Sequence, residues 1–191
     1  QLQKEKNNLI KELLKKIETG IVIRQDMLES QVSTVYLGIG SNLGNKINFI
    51  EKAKSKLIEN NIKILKSSSY YESLSWPDIK NPKFINIVLK TNTILKPLKL
   101  LDICKNIEKE LGRKKMPKNS PRECDIDILD YNSKKVTGYI NLPHPRIHMR
   151  NFVLLPLFEL NKNWVHPISK HHIKTLISSL SNRDIRSIKL I

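Results

Sequence analysis

Cysteine is almost absent from this 191-residue chain: there are two, Cys104 and Cys124, and they form no CxxC pair. With no apolar leader at the N-terminus either, this points to a reducing, cytoplasmic setting rather than secretion. Glycine and proline are few, six and nine residues, beside 39% hydrophobic and 27% charged residues, which excludes a collagen-like, low-complexity or disordered chain. Long apolar runs are missing too. The longest, Phe152 to Phe158, is broken by Pro156 and falls far short of the ~20 residues that span a bilayer. Acids are in deficit, 18 against 34 bases, for a net charge of +16. That field attracts polyanions: nucleic acid, acidic lipid or nucleotide phosphate. A start at Gln1 rather than Met leads us to expect native residues ahead of it.

The length suits one domain with a sizeable core. Leu2, Leu9, Ile10, Leu13, Leu14 and Ile17 recur at helical spacing before Gly20. Residues 1–31 therefore read as an amphipathic helical extension or linker, and 32–191 as the main domain. Within that domain the apolar period alternates between two and about 3.6 residues. Val35–Ile39 predicts a strand, Ile47 to Ile58 a helix, Ile62–Tyr71 and Phe84–Thr91 two strands, Leu98 to Leu111 a helix and Cys124–Leu129 a strand. This βαββαβ order is the ferredoxin-like α/β arrangement, an antiparallel sheet with both helices on one face. The remainder, through Trp164 and a helix over Ile173–Leu180, is expected to extend the core.

Four groups of residues stand out. In Cys124-Asp125-Ile126-Asp127-Ile128 the carboxylates share one strand face and the isoleucines the other. Their Cα atoms should stand roughly 6.6 Å apart, close enough to bracket one or two Mg²⁺ ions. Between Arg113 and Arg122 lie five bases and no acid, with Pro117 and Pro121 marking a loop. Concentrated bases beside paired carboxylates suit phosphoryl transfer from a Mg-nucleotide. Half of the six glycines fall in Gly38-Ile-Gly-Ser-Asn-Leu-Gly44, which is neither a Walker A loop nor GxGxxG; it fits either a tight turn or packing under a ligand pocket. Finally Leu142-Pro-His-Pro-Arg-Ile-His-Met-Arg strings two His and two Arg through a proline-fixed segment able to present several cationic donors to one anion. His166, His171 and His172 read as structural or surface residues.

Gly40-Ser-Asn-Leu-Gly44, Phe84-x-Asn86, Leu111-Gly-Arg113, Pro121-Arg122-x-x-Asp125-Ile-Asp127-Ile-Leu129 and Pro143-His-Pro-Arg146 with Arg150-x-Phe152, in this order, resemble 6-hydroxymethyl-7,8-dihydropterin pyrophosphokinase. The resemblance covers about 34–168. It implies a ferredoxin-like enzyme that passes the terminal diphosphate of ATP to the hydroxymethyl group of the reduced pterin, releasing AMP, in tetrahydrofolate biosynthesis. It also implies that Asp125 and Asp127 ligate two Mg²⁺ ions and that Arg113 and Arg122, catalytic with them, clamp the ATP phosphates. Lys115, His144, Arg150, Glu108 and Ile128 would complete the ATP site. Phe84 and Phe152 would sandwich the pterin, with Asn86, Ser73 and Leu74 at its edge. Lys118-Asn119-Ser120 stands where some members carry Arg-Trp-Gly, in a loop one residue shorter.

The partners expected are these small molecules, with no nucleic acid or membrane, and a fusion to or association with other folate-pathway enzymes. Two alternatives share the βαββαβ order. An RRM-like nucleic-acid-binding module would need aromatics spread over its third strand, and Phe84 to Lys90 has one. A palm-like Mg-dependent nucleotidyl transferase leaves Phe84, Asn86 and Phe152 unexplained.

Overall fold

The computed structural model describes residues 7–8, 10–20, 32–75, 78–114, 116–117 and 119–191. The chain divides into two compact units, 1–33 and 34–191. In the first, residues 10–20 are a helix, α1. Lys115, expected at the nucleotide, lies outside the described residues.

The second unit begins on β1 (Ser33–Ser41), followed by α2 (Lys46–Glu59), β2 (Lys63–Ser67), β3 (Tyr71–Ser73), β4 (Phe84–Thr93), α3 (Pro97–Glu110) and β5 (Asp125–Tyr131). Asn45 caps α2 by accepting from Asn48 N at 3.2 Å, and α3 starts on Pro97 and is followed by Gly112 at φ +106°. The sheet runs β5-β1-β4-β3, with β2 also on β4, which is the ferredoxin-like order with its second strand in two pieces. The periodicity gives Ile62–Tyr71 as one strand; the structure breaks it at 68–70. There Ser67 and Ser68 hydroxyls donate to the Ser68 and Ser69 carbonyls, and Glu159 accepts from Ser69 N at 3.0 Å. Side chains that bond their own backbone compete with the ladder.

The sheet's two faces have different covers. Leu37, Ile39, Ile85, Ile87, Leu89, Ile126 and Ile128 face α2 and α3 and form the larger core. The opposite face carries Tyr36, Val88 and Leu129, covered by α4 (Asn151–Leu160) and α5 (Ile173–Ser178). Alternation then puts Gly38, Gly40, Phe84, Asn86, Asp125 and Asp127 on this second face as well. The sequence gives no separate signal for α4: it is apolar nearly all round, and Pro156 inside it has no N–H to give the Phe152 carbonyl. Beyond α5, α6 (Asn182–Arg186) leads to β6 (Lys189–Leu190), which pairs with β3 at the sheet edge.

A β-bulge sets what lies beside the acids. Tyr36 pairs with Asp130 but Leu37 with Ile128, so Leu129 is the extra residue. The Leu129 carbonyl accepts from His144 N at 2.8 Å, docking the proline-fixed segment onto β5. Asp130 is turned into the second core, where it accepts from Trp164 Nε1 at 2.7 Å and Ser133 N at 3.0 Å. Burial holds this carboxyl above the ordinary aspartate range despite those donors.

Trp164→Phe, which leaves Asp130 Oδ2 without its donor, is expected to cost about 2–3 kcal/mol near neutral pH in urea unfolding. Because the folded-state pKa of Asp130 is raised, protonation favours the native state, so the deficit should shrink as pH falls through that value.

Candidate active site

The part of the second sheet face left uncovered by α4 and α5 is a cavity of about 460 Å³. Its floor is β1, where Gly38 and Gly40 present no side chain. A Cβ on Gly40 would lie 2.9 Å from Asn86 Oδ1 and 3.2 Å from Phe84 Cδ1. Both readings of the glycine cluster therefore apply: Gly38 and Gly40 make space, while Gly44 takes the turn at φ +64°.

One wall is aromatic and polar. Phe84 and Phe152 both line the cavity, with Asn86, Ser73 and Leu74. Asn86 Nδ2 donates to Ser73 Oγ at 2.9 Å, which fixes the amide and leaves Oδ1 over Gly40. A flat heteroaromatic ring with hydrogen-bonding edges matches this chemistry.

The other wall is ionic. Asp125 Oδ1 accepts from Arg113 Nη1 at 2.6 Å and Asp125 Oδ2 from Arg122 Nη2 at 2.7 Å. Asp127 Oδ2 accepts from Arg150 Nη1 at 2.9 Å, with His144 Nε2 3.9 Å away. Burial alone would raise the Asp125 carboxyl; Arg122 and Arg113 outweigh it and hold the group below the usual carboxylate range. Burial also holds His144 below the ordinary histidine range, against the upward pull of Asp127. His144 Nδ1 accepts from Arg146 N at 3.1 Å, so the proton of the neutral ring is on Nε2, facing Asp127. Among the described lining residues six bases (Lys105, Arg113, Lys114, Arg122, Arg146, Arg150) face three acids (Glu123, Asp125, Asp127), a positive surplus suited to a phosphate chain.

Of the residues singled out from sequence, Ser73, Leu74, Phe84, Asn86, Arg113, Arg122, Asp125, Asp127, Arg150 and Phe152 all line this one cavity. Three do not. Ile128 points into the helix-side core. Glu108, expected to face the nucleotide, is buried behind the wall; it accepts from Ile126 N and Lys105 Nζ, each at 2.7 Å, and pairs with Arg113 Nη1 at 2.6 Å. His144 stands behind Asp127. His166 and His172 have structural roles, their Nδ1 atoms accepting from backbone N–H of the following residues.

Sequence reasoning gave no role to Asn42. It is buried; its Oδ1 accepts from Arg122 N at 2.8 Å, its N donates to Arg122 O at 3.1 Å, and its Nδ2 donates to Pro82 O at 3.1 Å. The glycine turn thus clasps the backbone of Arg122. An Asn between Ser41 and Leu43 offers no periodic signal; its place in the Gly40–Gly44 motif is the one cue. Cys104 and Cys124 are buried thiols pushed up to about 12 by burial, which removes them as nucleophiles.

Two carboxylates with substrate oxygens and water can complete the octahedral oxygen set that Mg²⁺ takes, so this donor set fits it. Among the described residues no cluster of three or more His, Cys, Asp or Glu could hold a metal by itself.

The chain is similar to proteins of known activity. The family model for 7,8-dihydro-6-hydroxymethylpterin-pyrophosphokinase (HPPK) matches residues 36–162. The 2-amino-4-hydroxy-6-hydroxymethyldihydropteridine pyrophosphokinase of Aquifex aeolicus is 44% identical over 144 residues, covering 75% of this chain and 89% of that one. The folic acid synthesis protein of Pneumocystis carinii is 40% identical over 155 residues, covering 81% of this chain and 21% of that protein. Among solved structures, Plasmodium falciparum HPPK-DHPS with pteroate aligns with a TM-score of 0.63 at 16% identity, over 77% of this chain and 42% of that one. The chain thus spans most of the first relative, about a fifth of the second and less than half of the solved one.

The His144 ring should titrate below the ordinary histidine range by NMR. Asp127→Asn should move it lower still, since Asp127 is the group that raises it.

Proposed function

This chain belongs to the 7,8-dihydro-6-hydroxymethylpterin-pyrophosphokinase family, and from that premise we propose how its residues divide the work. The reaction is ATP-dependent pyrophosphoryl transfer to 6-hydroxymethyl-7,8-dihydropterin, giving AMP and the pterin diphosphate, a step of folate biosynthesis. The observation that carries the residue assignment is one cavity holding a paired-acid, multi-arginine wall opposite an aromatic slot with a fixed amide.

The pterin stacks between Phe84 and Phe152 while Asn86 Oδ1, oriented by Ser73, accepts from its edge. Gly40 keeps the floor low enough for the ring to enter. The ATP phosphates lie along Arg113, Arg122 and Arg150, whose planar donors bind phosphate oxygens in pairs. Asp125 and Asp127 would hold Mg²⁺, expected as two ions, and the chemistry it would supply there is charge neutralisation of the phosphates. The hydroxymethyl oxygen of the pterin attacks the β-phosphorus as AMP leaves. Among the described lining residues neither Asp125 nor Asp127 is placed as a dedicated base, since both carboxylates are committed to cations. Catalysis then rests on positioning and charge stabilisation. His144 orients Asp127 from behind, and Glu108 orients Arg113.

Residues 32–191 are the pyrophosphokinase domain and 1–31 an extension to it. Two relatives are named as bifunctional proteins, one of them for folate synthesis, which supports reading that extension as a link to another folate-pathway enzyme. We place the reaction in the cytoplasm; among the described residues no helix is long and apolar enough to cross a membrane.

Incubation with ATP, Mg²⁺ and the hydroxymethyl dihydropterin should release AMP and pterin diphosphate in equal amounts. ADP formation independent of the pterin would overturn the assignment. Asp127→Ala should lower kcat at least ~10³-fold. Gly40→Ala, which drives a methyl group against Asn86 and Phe84, should raise the KM for the pterin more than tenfold while that for ATP moves little.

A further inference from the structure

The acids assigned to the metal and the arginines assigned to the phosphates are bonded to each other. Both oxygens of Asp125 are taken, by Arg113 and Arg122, and Asp127 Oδ2 is taken by Arg150. A divalent ion arriving alone meets guanidiniums already on its ligands. A nucleotide arriving alone meets arginines already on carboxylates.

A second observation points the same way. The Nε atoms of Arg122 and Arg150 are buried without a hydrogen-bond partner. Each guanidinium therefore leaves a donor unused in this arrangement, at a cost that a phosphate with several acceptor oxygens would remove. Arg113 differs, because its Nη1 also pairs with buried Glu108, which is itself fixed by Ile126 N. It keeps an anchor when Asp125 is withdrawn.

Resting on the pyrophosphokinase reading, we propose that Asp125 and Asp127 with Arg113, Arg122 and Arg150 form an electrostatic latch that rejects free nucleotide and free divalent metal and admits only the two together. Either ligand alone strips one set of partners and leaves the other set unpaired in a half-buried wall, which is expensive. Together they exchange partners one for one, acids to metal and arginines to phosphate, and no charge is orphaned. The coupling is reciprocal by linkage: metal strengthens nucleotide binding by the factor by which nucleotide strengthens metal binding.

The test uses the full chain without pterin. ATP binding is measured by calorimetry in EDTA and in Mg²⁺, and Mn²⁺ binding without nucleotide by electron paramagnetic resonance. The wild-type protein should bind ATP roughly 100-fold more weakly in EDTA than in Mg²⁺. Asp125→Asn, by freeing Arg122 and leaving Arg113 held by Glu108 alone, should raise metal-free ATP affinity about tenfold and erase most of the Mg²⁺ enhancement. Arg122→Gln should raise nucleotide-free Mn²⁺ affinity by a similar factor. Glu123→Gln removes a lining carboxylate that pairs with neither arginine, and should change both affinities less than about threefold.

Equal ATP affinity with and without metal in the wild-type protein would overturn the latch. So would an Asp125→Asn protein no better at metal-free binding, or a Glu123→Gln protein that behaves like Asp125→Asn, which would assign the effect to net charge. If Asp125→Asn melts early, Arg122→Gln decides alone, with unchanged Mn²⁺ affinity counting against the latch. None of these measurements contains pterin. A protein that passes them yet makes no pterin diphosphate has lost the reaction assignment and kept the latch, and the converse separates the two equally well.

Discussion

Burial pushes the Asp125 carboxyl up, and a guanidinium on each side holds it below the usual carboxylate range. Its two oxygens are held at 2.6 and 2.7 Å by Arg113 and Arg122, residues that stand at the two ends of one loop. The chain leaves α3 through Arg113 and returns to β5 through Arg122, so a single acid fastens both ends of the basic segment. Glu108 extends the network inward. One of its oxygens pairs with Arg113, and the other accepts from Lys105 and from the backbone of Ile126. The last turns of α3, the first residues of β5 and the roots of the loop are thus one electrostatic unit. Buried charges of this kind rarely repay their desolvation through stability alone; here they place Lys105, Arg113, Arg122 and Asp125 on one wall, with Glu108 behind it.

That wall is useful because the sheet has unequal covers. Its first face is closed by α2 and α3 over branched aliphatic side chains. Its second is closed by α4 and α5 over only part of its area. The remaining part holds the glycines of β1, Phe84 and Asn86 of β4, and the acids of β5. Strand alternation carries this division of labour: Ile126 and Ile128 anchor β5 in the core, so Asp125 and Asp127 are obliged to face the cavity. The arginines Arg122 and Arg150 also stand 5.4 and 5.5 Å from the Phe84 and Phe152 ring centroids, joining the ionic wall to the aromatic one.

What was legible in the sequence follows from the same physics. The facing of the two acids is a period-two argument and needs no tertiary information. The strand and helix order of the ferredoxin-like core follows from apolar periods, with Pro97 and Gly112 as punctuation for the second helix. The bulge at Leu129 was not legible, because it is a matter of register between β1 and β5, and with it went the placement of His144 and the burial of Asp130. The helix α4 stayed hidden because burial on all sides erases its period and Pro156 argues against it. Glu108 is a separate lesson. The family resemblance marks it as important, but only packing reveals that its carboxylate is spent on Arg113, Lys105 and a backbone amide. Asn42 is the reverse case, a motif residue whose use as a clasp on Arg122 depends on two segments 80 positions apart in sequence.

The excess of base reads differently once placement is known. Of 34 Lys and Arg in the chain, six are among the described residues that line the cavity. The rest set a field that draws anions toward the molecule but does not choose among them. Choice belongs to the wall, and there the hydrogen bonds to Asp125 and Asp127 come from arginine. Arg113 Nη1 serves Glu108 and Asp125 at once, 2.6 Å from each, and the rest of its planar fork remains for a third acceptor. A lysine could neutralise the same carboxylates as a point charge, but it has no rigid fork to keep one edge on the protein while turning another to a phosphate. Net charge brings the nucleotide near, and guanidinium geometry gives the wall a way to trade a carboxylate for a phosphate without leaving either charge exposed.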